Sequence, residues 1–229
     1  ARAEPASRTI RDLIRAAVEQ RGRWHVVASI RKFDLRYSQE LKQLFAGGPP
    51  TKLEEFTDQE FHSIRHLNVP RLSDEELAQI GLQSPELQRL IDIAPKELRE
   101  LLRVPLNLRL VAELLGAGIA PADLTPIHTQ LELLDQYWLY WVVRRDKDEQ
   151  GYAREAVLRR VCEEMVKART LRVDQSRIDD PASSFLLPDL LSTQVLTDWQ
   201  PSPEATPNRY VLTFSHHVLF VYAVEAVQL

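Results

Sequence analysis

Two adjacent histidines, His216 and His217, lie in the last stretch of the chain, RYVLTFSHHVLFVYAVEAVQL at residues 209–229. Residues 210–214 alternate larger apolar side chains with smaller or polar ones, which predicts a half-buried strand. Helical spacing follows, and Ser215 is suited to cap a helix that begins there. Both histidines are therefore expected in the first helical turn, where exposed N–H groups and the helix dipole attract anions such as phosphate.

The chemistry open to this histidine pair depends on its protonation state. A neutral imidazole can donate one hydrogen bond to an oxyanion, whereas the helix dipole disfavours an added positive charge. In the alternative interpretation, one imidazole packs in the core and the other faces water. The residues alone leave both interpretations open.

Composition describes an ordinary globular protein of one large or two small domains, with 229 residues, 44% hydrophobic residues and a net charge of −4. No apolar run approaches the ~20 residues that span a bilayer, and the arginine-containing N-terminal stretch lacks the apolar segment of a signal peptide. We therefore expect a cytoplasmic protein without a membrane partner. The single cysteine, Cys162, excludes an internal disulfide and is expected in the core.

Charge is distributed unevenly along the chain. Residues 1–52 contain eleven Lys and Arg against five Asp and Glu, a net charge of +6, which leaves −10 for the remainder. A basic segment can face nucleic acid or nucleotide phosphates. It can equally be the solvated face of a helix.

The sequence begins with Ala1, and its only methionine is Met165. Its last residues are also expected to lie within a helix that lacks a capping glycine. We therefore expect the chain to be part of a longer protein.

Residues 1–70 are expected to contain a helix and then a strand. An apolar helical stripe runs through residues 6–21, with Gly22 at its end. The continuously apolar WHVVASI predicts a buried strand of a parallel sheet at about 24–30, and FHSIRHLNVPRL can supply an edge strand that ends at Pro70.

The rest of the chain is expected to be mainly helical. Residues 71–125 predict short helices, with a capping box at Ser73 and Glu76 and prolines near several helix starts. Residues 126–229 predict two long amphipathic helices, a short helix, a hairpin and a final helix, an order that resembles a winged-helix module.

Motifs of self-sufficient catalytic sites are missing from this sequence. None of its seven glycines fits the phosphate-binding pattern G-x-x-x-x-G-K-[ST], and G-x-S-x-G, H-E-x-x-H and paired-cysteine zinc patterns are also absent. We therefore expect no catalytic residues and no metal ligands in this chain.

An ordered series of fragments does carry a resemblance. WHVVASIRKFDL, HLNVPRLSDEEL, ELLRVPLNLRLVAELL, LLDQYWLYWV and YVLTFSHHVLFVYAVEAV follow one another along nearly the whole chain. Together they resemble the C-terminal part of STAND-class, NACHT-like P-loop ATPases of the AAA+-related group. The order of the fragments is the specific signal, because each motif alone is loose.

The resemblance implies roles for four residues. VVASIR is similar to the family's sensor 1 strand, so Ser29 and Arg31 occupy the matching positions, with Ile30 as an extra residue between them. Pro105 matches the lid proline that packs beside adenine, although a proline in a helix's first turn needs no such role. His216 matches the winged-helix histidine that reaches the β-phosphate of ADP, which leaves His217 as a bystander.

The resemblance implies a mainly α fold with small α/β and winged-helix parts. Residues 1–70 would be the remnant of a parallel-sheet nucleotide domain, 71–125 a helical lid, and 126–229 a winged-helix-like domain. Such a chain would close over ATP or ADP held, with Mg²⁺, by a P-loop domain outside this sequence, and its partners would be that domain, other protein domains or copies of itself. The alternatives are a nucleic-acid-binding winged-helix regulator and a helical protein-interaction scaffold, the latter suggested by Trp138, Tyr140 and Trp141.

Overall fold

The computed structural model describes residues 3–20, 23–143, 150–178, 181–200 and 210–227. The chain divides into two compact units, residues 1–70 (unit 1) and residues 71–229 (unit 2). The described residues are mainly helical, as the sequence predicts, and they add a small antiparallel sheet.

Unit 1 has a small apolar centre. Its helices are α1 (Ala3–Glu19), α2 (Lys32–Tyr37) and α3 (Gln39–Leu44), with 3₁₀ turns at Glu54–Phe56 and Gln59–Phe61. Leu35, Phe61 and Ile64 are buried together, and Ile30, Leu41 and Phe45 pack around them. Among the side chains of the predicted α1 stripe that the structure describes, Ile14 is buried, whereas Leu13 and Val18 are exposed. Gly22 lies outside the described residues.

The buried strand predicted at about 24–30 is wrong in this structure. Residues 24–31 form neither helix nor strand, and Val27 is 95% exposed. The predicted edge strand before Pro70 is also absent, since Ile64 makes only an isolated bridge to Ala46. A strand of a parallel sheet needs a neighbouring strand to pair with, and the described part of unit 1 contains none.

The first half of unit 2 consists of short helices whose starts follow local sequence signals. Its helices are α4 (Asp74–Gly81), α5 (Pro85–Ile93), α6 (Lys96–Leu102), α7 (Pro105–Gly116) and α8 (Pro121–Leu124). The predicted capping box is confirmed, because the Ser73 hydroxyl accepts from the Glu76 N–H and the Glu76 carboxylate accepts from the Ser73 N–H. Pro85 and Pro105 both lie in the first turn of their helices, as predicted.

Two longer helices follow. The first is α9 (Gln130–Trp138), which continues as a π-helix over Leu139–Val143, and the second is α10 (Gly151–Ala168). The end of the π-helix approaches the start of α10 so closely that a Cβ atom at Gly151 would lie 2.4 Å from the Val143 carbonyl oxygen. Glycine is therefore needed at this junction.

The last part of unit 2 contains the sheet. Its elements in chain order are β1 (Val173–Asp174), α11 (Pro181–Ser192), β2 (Leu196–Trp199), β3 (Val211–Phe214) and α12 (His217–Ala226). The strand order is β1-β3-β2 and both pairings are antiparallel, with Leu196 opposite Phe214 and Val173 opposite Leu212. The predicted pairing of β2 with β3 is thus confirmed, and the hairpin tip at 201–209 lies outside the described residues.

One continuous apolar core joins the helices and the sheet of unit 2. Cys162 lies in it, as predicted, and burial raises the pKa of its thiol to about 12. Arg154 is also fully buried, with Nε donating to the Val142 carbonyl at 2.6 Å and Nη1 to the Asp189 carboxylate at 3.2 Å. Across the residues that the structure describes, no helix has the length and apolarity to cross a membrane.

Candidate functional site

The two residues proposed for the sensor 1 position lie in unit 1. Ser29 is exposed in the segment without regular structure. Arg31 immediately precedes α2, where its exposed guanidinium pairs with Asp34, Nε to Oδ2 at 2.8 Å. Neither residue is held in a strand, so the sequence-based assignment of this pair gains no support from the local geometry.

Pro105 begins α7 in unit 2. It occupies the first turn and is exposed, so the pyrrolidine ring faces away from the core. Two residues further on, the buried Asn107 donates to the Leu101 carbonyl at 3.1 Å and accepts from Gln130 at 2.9 Å, which fixes the helix start. The ring is available to a planar ligand, and it equally satisfies the ordinary requirement of a helix start.

His216 caps α12, which corrects the prediction that Ser215 is the cap. The backbone of His216 is extended (φ −146°, ψ 143°), and its Nδ1 accepts a hydrogen bond from the Val218 N–H at 3.2 Å. An imidazole nitrogen that accepts cannot also carry a proton, so the proton of the neutral ring resides on Nε2. This tautomer leaves His216 with one outward donor.

The two histidines occupy different positions, contrary to the expectation that both lie in the first helical turn, because His216 is the cap and α12 begins at His217. His216 is half-buried, whereas His217 is exposed, and their ring centroids lie 4.4 Å apart. Burial, followed by the neighbouring His217 and the positive charge of Arg109, lowers the pKa of His216 below its usual 6.5. His216 is therefore neutral at physiological pH, with Nε2–H as a donor.

Arg109, on the same helix as Pro105, is the cation whose charge acts on His216. It lies one turn after Pro105, on the same exposed face of α7. Its Nε donates to Glu113 Oε1 at 2.7 Å and its Nη2 to Gln194 Oε1 at 2.8 Å, while Glu113 Oε2 accepts from the buried Tyr137 hydroxyl at 2.8 Å. Burial and this carboxylate together raise the pKa of Tyr137.

An open depression of about 430 Å³ lies beside Arg109. Its polar wall is formed by side chains from α7, from the turn after α11 and from the sheet: Arg109, Gln194, Thr197, Asp198 and Ser215. Ser215 directly precedes His216, so the depression and the capping histidine are adjacent along the chain. No group of three or more His, Cys, Asp or Glu side chains in the described ranges is arranged to hold a metal ion.

Of the four residues singled out in the sequence, Pro105 and His216 belong to unit 2, while Ser29 and Arg31 belong to unit 1. Sequence reasoning missed Arg109 and Gln194. A weak signal existed for Arg109, because a residue four positions after a first-turn proline shares its helix face. No sequence signal pointed to Gln194, which has a left-handed backbone (φ 56°), because its contact with Arg109 depends on tertiary packing.

Comparison with known proteins adds no assignment: no protein-family model matches the chain, and no curated protein matches it.

Proposed function

We propose that this chain is the lid and winged-helix region of a STAND-class ATPase, which closes over ATP or ADP bound by a P-loop domain outside this sequence. The observation that carries the proposal is the pose of His216. Its Nδ1 accepts the hydrogen bond that caps the helix, and its ring is neutral. Its Nε2–H can therefore donate a hydrogen bond to a phosphate oxygen. The family resemblance assigns the β-phosphate of ADP to this residue.

The architecture of unit 2 supports the same proposal. Helices, the antiparallel pair β2–β3 and a final helix follow one another, the order that resembles a winged-helix module, and β1 adds a third strand to the sheet. The preceding helices α4 to α8 would form the lid, with the exposed ring of Pro105 at the start of α7 as the adenine contact. The sensor roles of Ser29 and Arg31 rest on the sequence resemblance alone.

In this proposal the bound nucleotide shifts an equilibrium between an open and a closed conformation. A ligand shifts an equilibrium between two states only by as much as it binds one more tightly than the other. Contact between His216 and the ADP β-phosphate would exist only in the closed state and would favour it. Hydrolysis would need the P-loop lysine and Mg²⁺-binding carboxylates, which would come from the P-loop domain and not from this chain.

The nucleic-acid alternative is weakened by two observations. α11, which precedes the hairpin and would hold the recognition position, has the sequence PASSFLLPDLLS without Lys or Arg. In unit 1 several cations of the basic segment already pair with carboxylates, including Lys32 with Asp58 and Arg11 with Glu40. The scaffold alternative is weakened because Trp138 is buried against Tyr222 and so is not a surface contact.

The test compares His216→Ala, His216→Ser and His217→Ala by ADP titration of the full-length protein that contains the P-loop domain. Loss of a hydrogen bond to a charged phosphate, about 1.5–3 kcal/mol, predicts roughly 10- to 150-fold weaker ADP binding for both His216 variants. His217→Ala should leave the affinity nearly unchanged. Serine keeps an N-cap acceptor, so His216→Ser should retain the thermal stability that His216→Ala loses.

The serine variant separates the two interpretations of His216. If the histidine only caps α12, His216→Ser restores both stability and ADP affinity. If it also binds phosphate, His216→Ser restores stability alone. Restored affinity in His216→Ser, or equal effects of the His216 and His217 variants, would overturn the proposal.

A further inference from the structure

Two hydrogen-bond donors beside the depression have no acceptor in the described part of the protein. Arg109 uses Nε for Glu113 and one N–H of Nη2 for Gln194, which leaves Nη1 without an acceptor there. His216 uses Nδ1 to accept the hydrogen bond of its cap, which leaves Nε2–H without an acceptor among the described residues. One donor carries a full positive charge and the other is neutral.

The neighbouring side chains define what such a pair can bind. Glu113 balances part of the Arg109 charge, and it holds the guanidinium in place because Tyr137 anchors it from the other side. Gln194 fixes the second edge of the guanidinium, so its remaining N–H groups keep a defined direction. A preorganised guanidinium is suited to a phosphate oxygen, because little side-chain entropy is lost when the ligand binds.

A negative charge in the same depression limits where the ligand can lie. Asp198 lines the same depression from β2, and its carboxylate repels an anion. A phosphoryl group is therefore favoured near Arg109 and Ser215, which line the same depression, and Ser215 directly precedes His216 in the chain. Removal of the Asp198 charge should strengthen anion binding without creating a new contact.

We propose that Arg109 is a second phosphate-binding residue of this site, which together with His216 holds one phosphoryl group, with the Ser215 hydroxyl as a further donor. This inference rests on the proposed function, because it places the phosphate of His216 in contact with α7. It implies that a single bound phosphoryl group contacts both α7, the helix that begins at Pro105, and the N-terminus of α12. Loss of phosphate would then loosen both elements together.

The test uses inorganic pyrophosphate as the probe and the histidine imidazole NMR signals of this chain as the readout, at constant ionic strength. Wild type should show pyrophosphate-dependent shifts at His216. Arg109→Gln should weaken pyrophosphate binding roughly tenfold or more, since a charged hydrogen bond is lost. Arg109→Lys keeps the charge without the planar donors and should fall between the two. Asp198→Asn should tighten binding by a few-fold, roughly the size of one screened like-charge contact.

A matched control comes from the same unit. Arg89 is exposed on α5 and does not line the depression, so Arg89→Gln removes an equal charge elsewhere. It should leave pyrophosphate binding unchanged within about twofold, since an exposed charge that does not touch the ligand acts on it only through salt-screened solvent. A second readout is the pKa of His216, which should rise in Arg109→Gln because the neighbouring positive charge is removed.

The outcomes separate this inference from the proposed function. If His216→Ser weakens ADP binding in the full-length protein but Arg109→Gln behaves like Arg89→Gln, the nucleotide role stands and the assignment of Arg109 is wrong. If pyrophosphate binding depends on Arg109 but ADP binding is insensitive to His216, the anion site stands and the proposed function is wrong. Wild-type signals that do not respond to pyrophosphate would overturn the inference.

Discussion

Units 1 and 2 use their apolar residues in different ways. Unit 2 buries leucines from nearly every helix in one core, whereas the apolar cluster of unit 1 has three buried side chains among its described residues. Unit 1 leaves Trp24, Val27 and Val69 exposed and relies on polar links, such as His66, which accepts from the Asp58 N–H at 2.9 Å. Apolar side chains stabilise a fold only where other elements are present to cover them.

The largest expected contrast comes from removing one core side chain in each unit. Phe61→Ala should cost about 3–5 kcal/mol and Leu98→Ala about 2–5 kcal/mol, because each leaves a cavity. We expect Phe61→Ala to abolish hydrogen-exchange protection throughout unit 1, since one of the three buried side chains of its apolar cluster is lost. Leu98→Ala should leave unit 2 folded with lower protection. Equal retention of structure in both units would contradict this comparison.

A second prediction concerns the buried arginine of unit 2. Arg154→Ala should lower the free energy of unfolding of unit 2 by about 3 kcal/mol, because the Val142 carbonyl and the Asp189 carboxylate lose their buried donor. Denaturant unfolding monitored by tryptophan fluorescence measures the change. Arg159 is exposed on the same helix, so Arg159→Ala is the control and should stay within about 0.5 kcal/mol of wild type. Similar values for both variants would show that burial of Arg154 contributes nothing to stability.

A smaller effect tests helix capping in both units. The Ser73 hydroxyl accepts from the Glu76 N–H at the start of α4, and the Ser38 hydroxyl accepts from the Leu41 N–H at the start of α3. Alanine at either position should cost about 1 kcal/mol, whereas threonine should keep most of the cap. The change should be visible at α3 and throughout unit 1 for Ser38→Ala, but only near α4 for Ser73→Ala. Exchange rates of the first-turn amides measure both, and a unit-wide effect of Ser73→Ala would contradict the prediction.

Sequence predicted the features that depend on neighbouring residues. The capping box at Ser73, the first-turn prolines and the pairing of β2 with β3 follow from local patterns and are confirmed. Burial of Arg154 could also have been predicted, because it precedes Val157, Leu158 and Val161 on one helical stripe. Each of these signals lies within a few residues of the feature it specifies.

Sequence failed where the outcome depends on distant residues. The segment at 24–30 has the composition of a buried strand, but pairing requires neighbours that its own residues do not specify. The choice of His216 over Ser215 as the cap depends on where β3 ends, and the Arg109–Gln194 contact depends on how α7 meets the turn after α11. The candidate site was therefore only half predictable: its histidine from sequence, its arginine from tertiary structure.

The smallest expected effect is at Val27, where the sequence-based expectation and the structure disagree most. Because Val27 is 95% exposed, Val27→Ser should change the stability of this chain by less than about 0.5 kcal/mol. A buried strand residue would cost several times more, as Val161→Ser should in the core of unit 2. Thermal unfolding of both variants gives the comparison.

The same substitution becomes a sharper test in the P-loop-containing protein that we propose. If a P-loop domain supplies parallel neighbours, residues 24–30 gain partners and Val27 becomes buried, so Val27→Ser should destabilise that protein by about 1–3 kcal/mol while it leaves this chain unaffected. Amides of residues 24–30 should likewise exchange freely in this chain and slowly in the longer one. A large loss of stability for Val27→Ser in this chain would contradict the exposure of Val27. No loss of stability in either protein would remove the sensor 1 strand from the proposal.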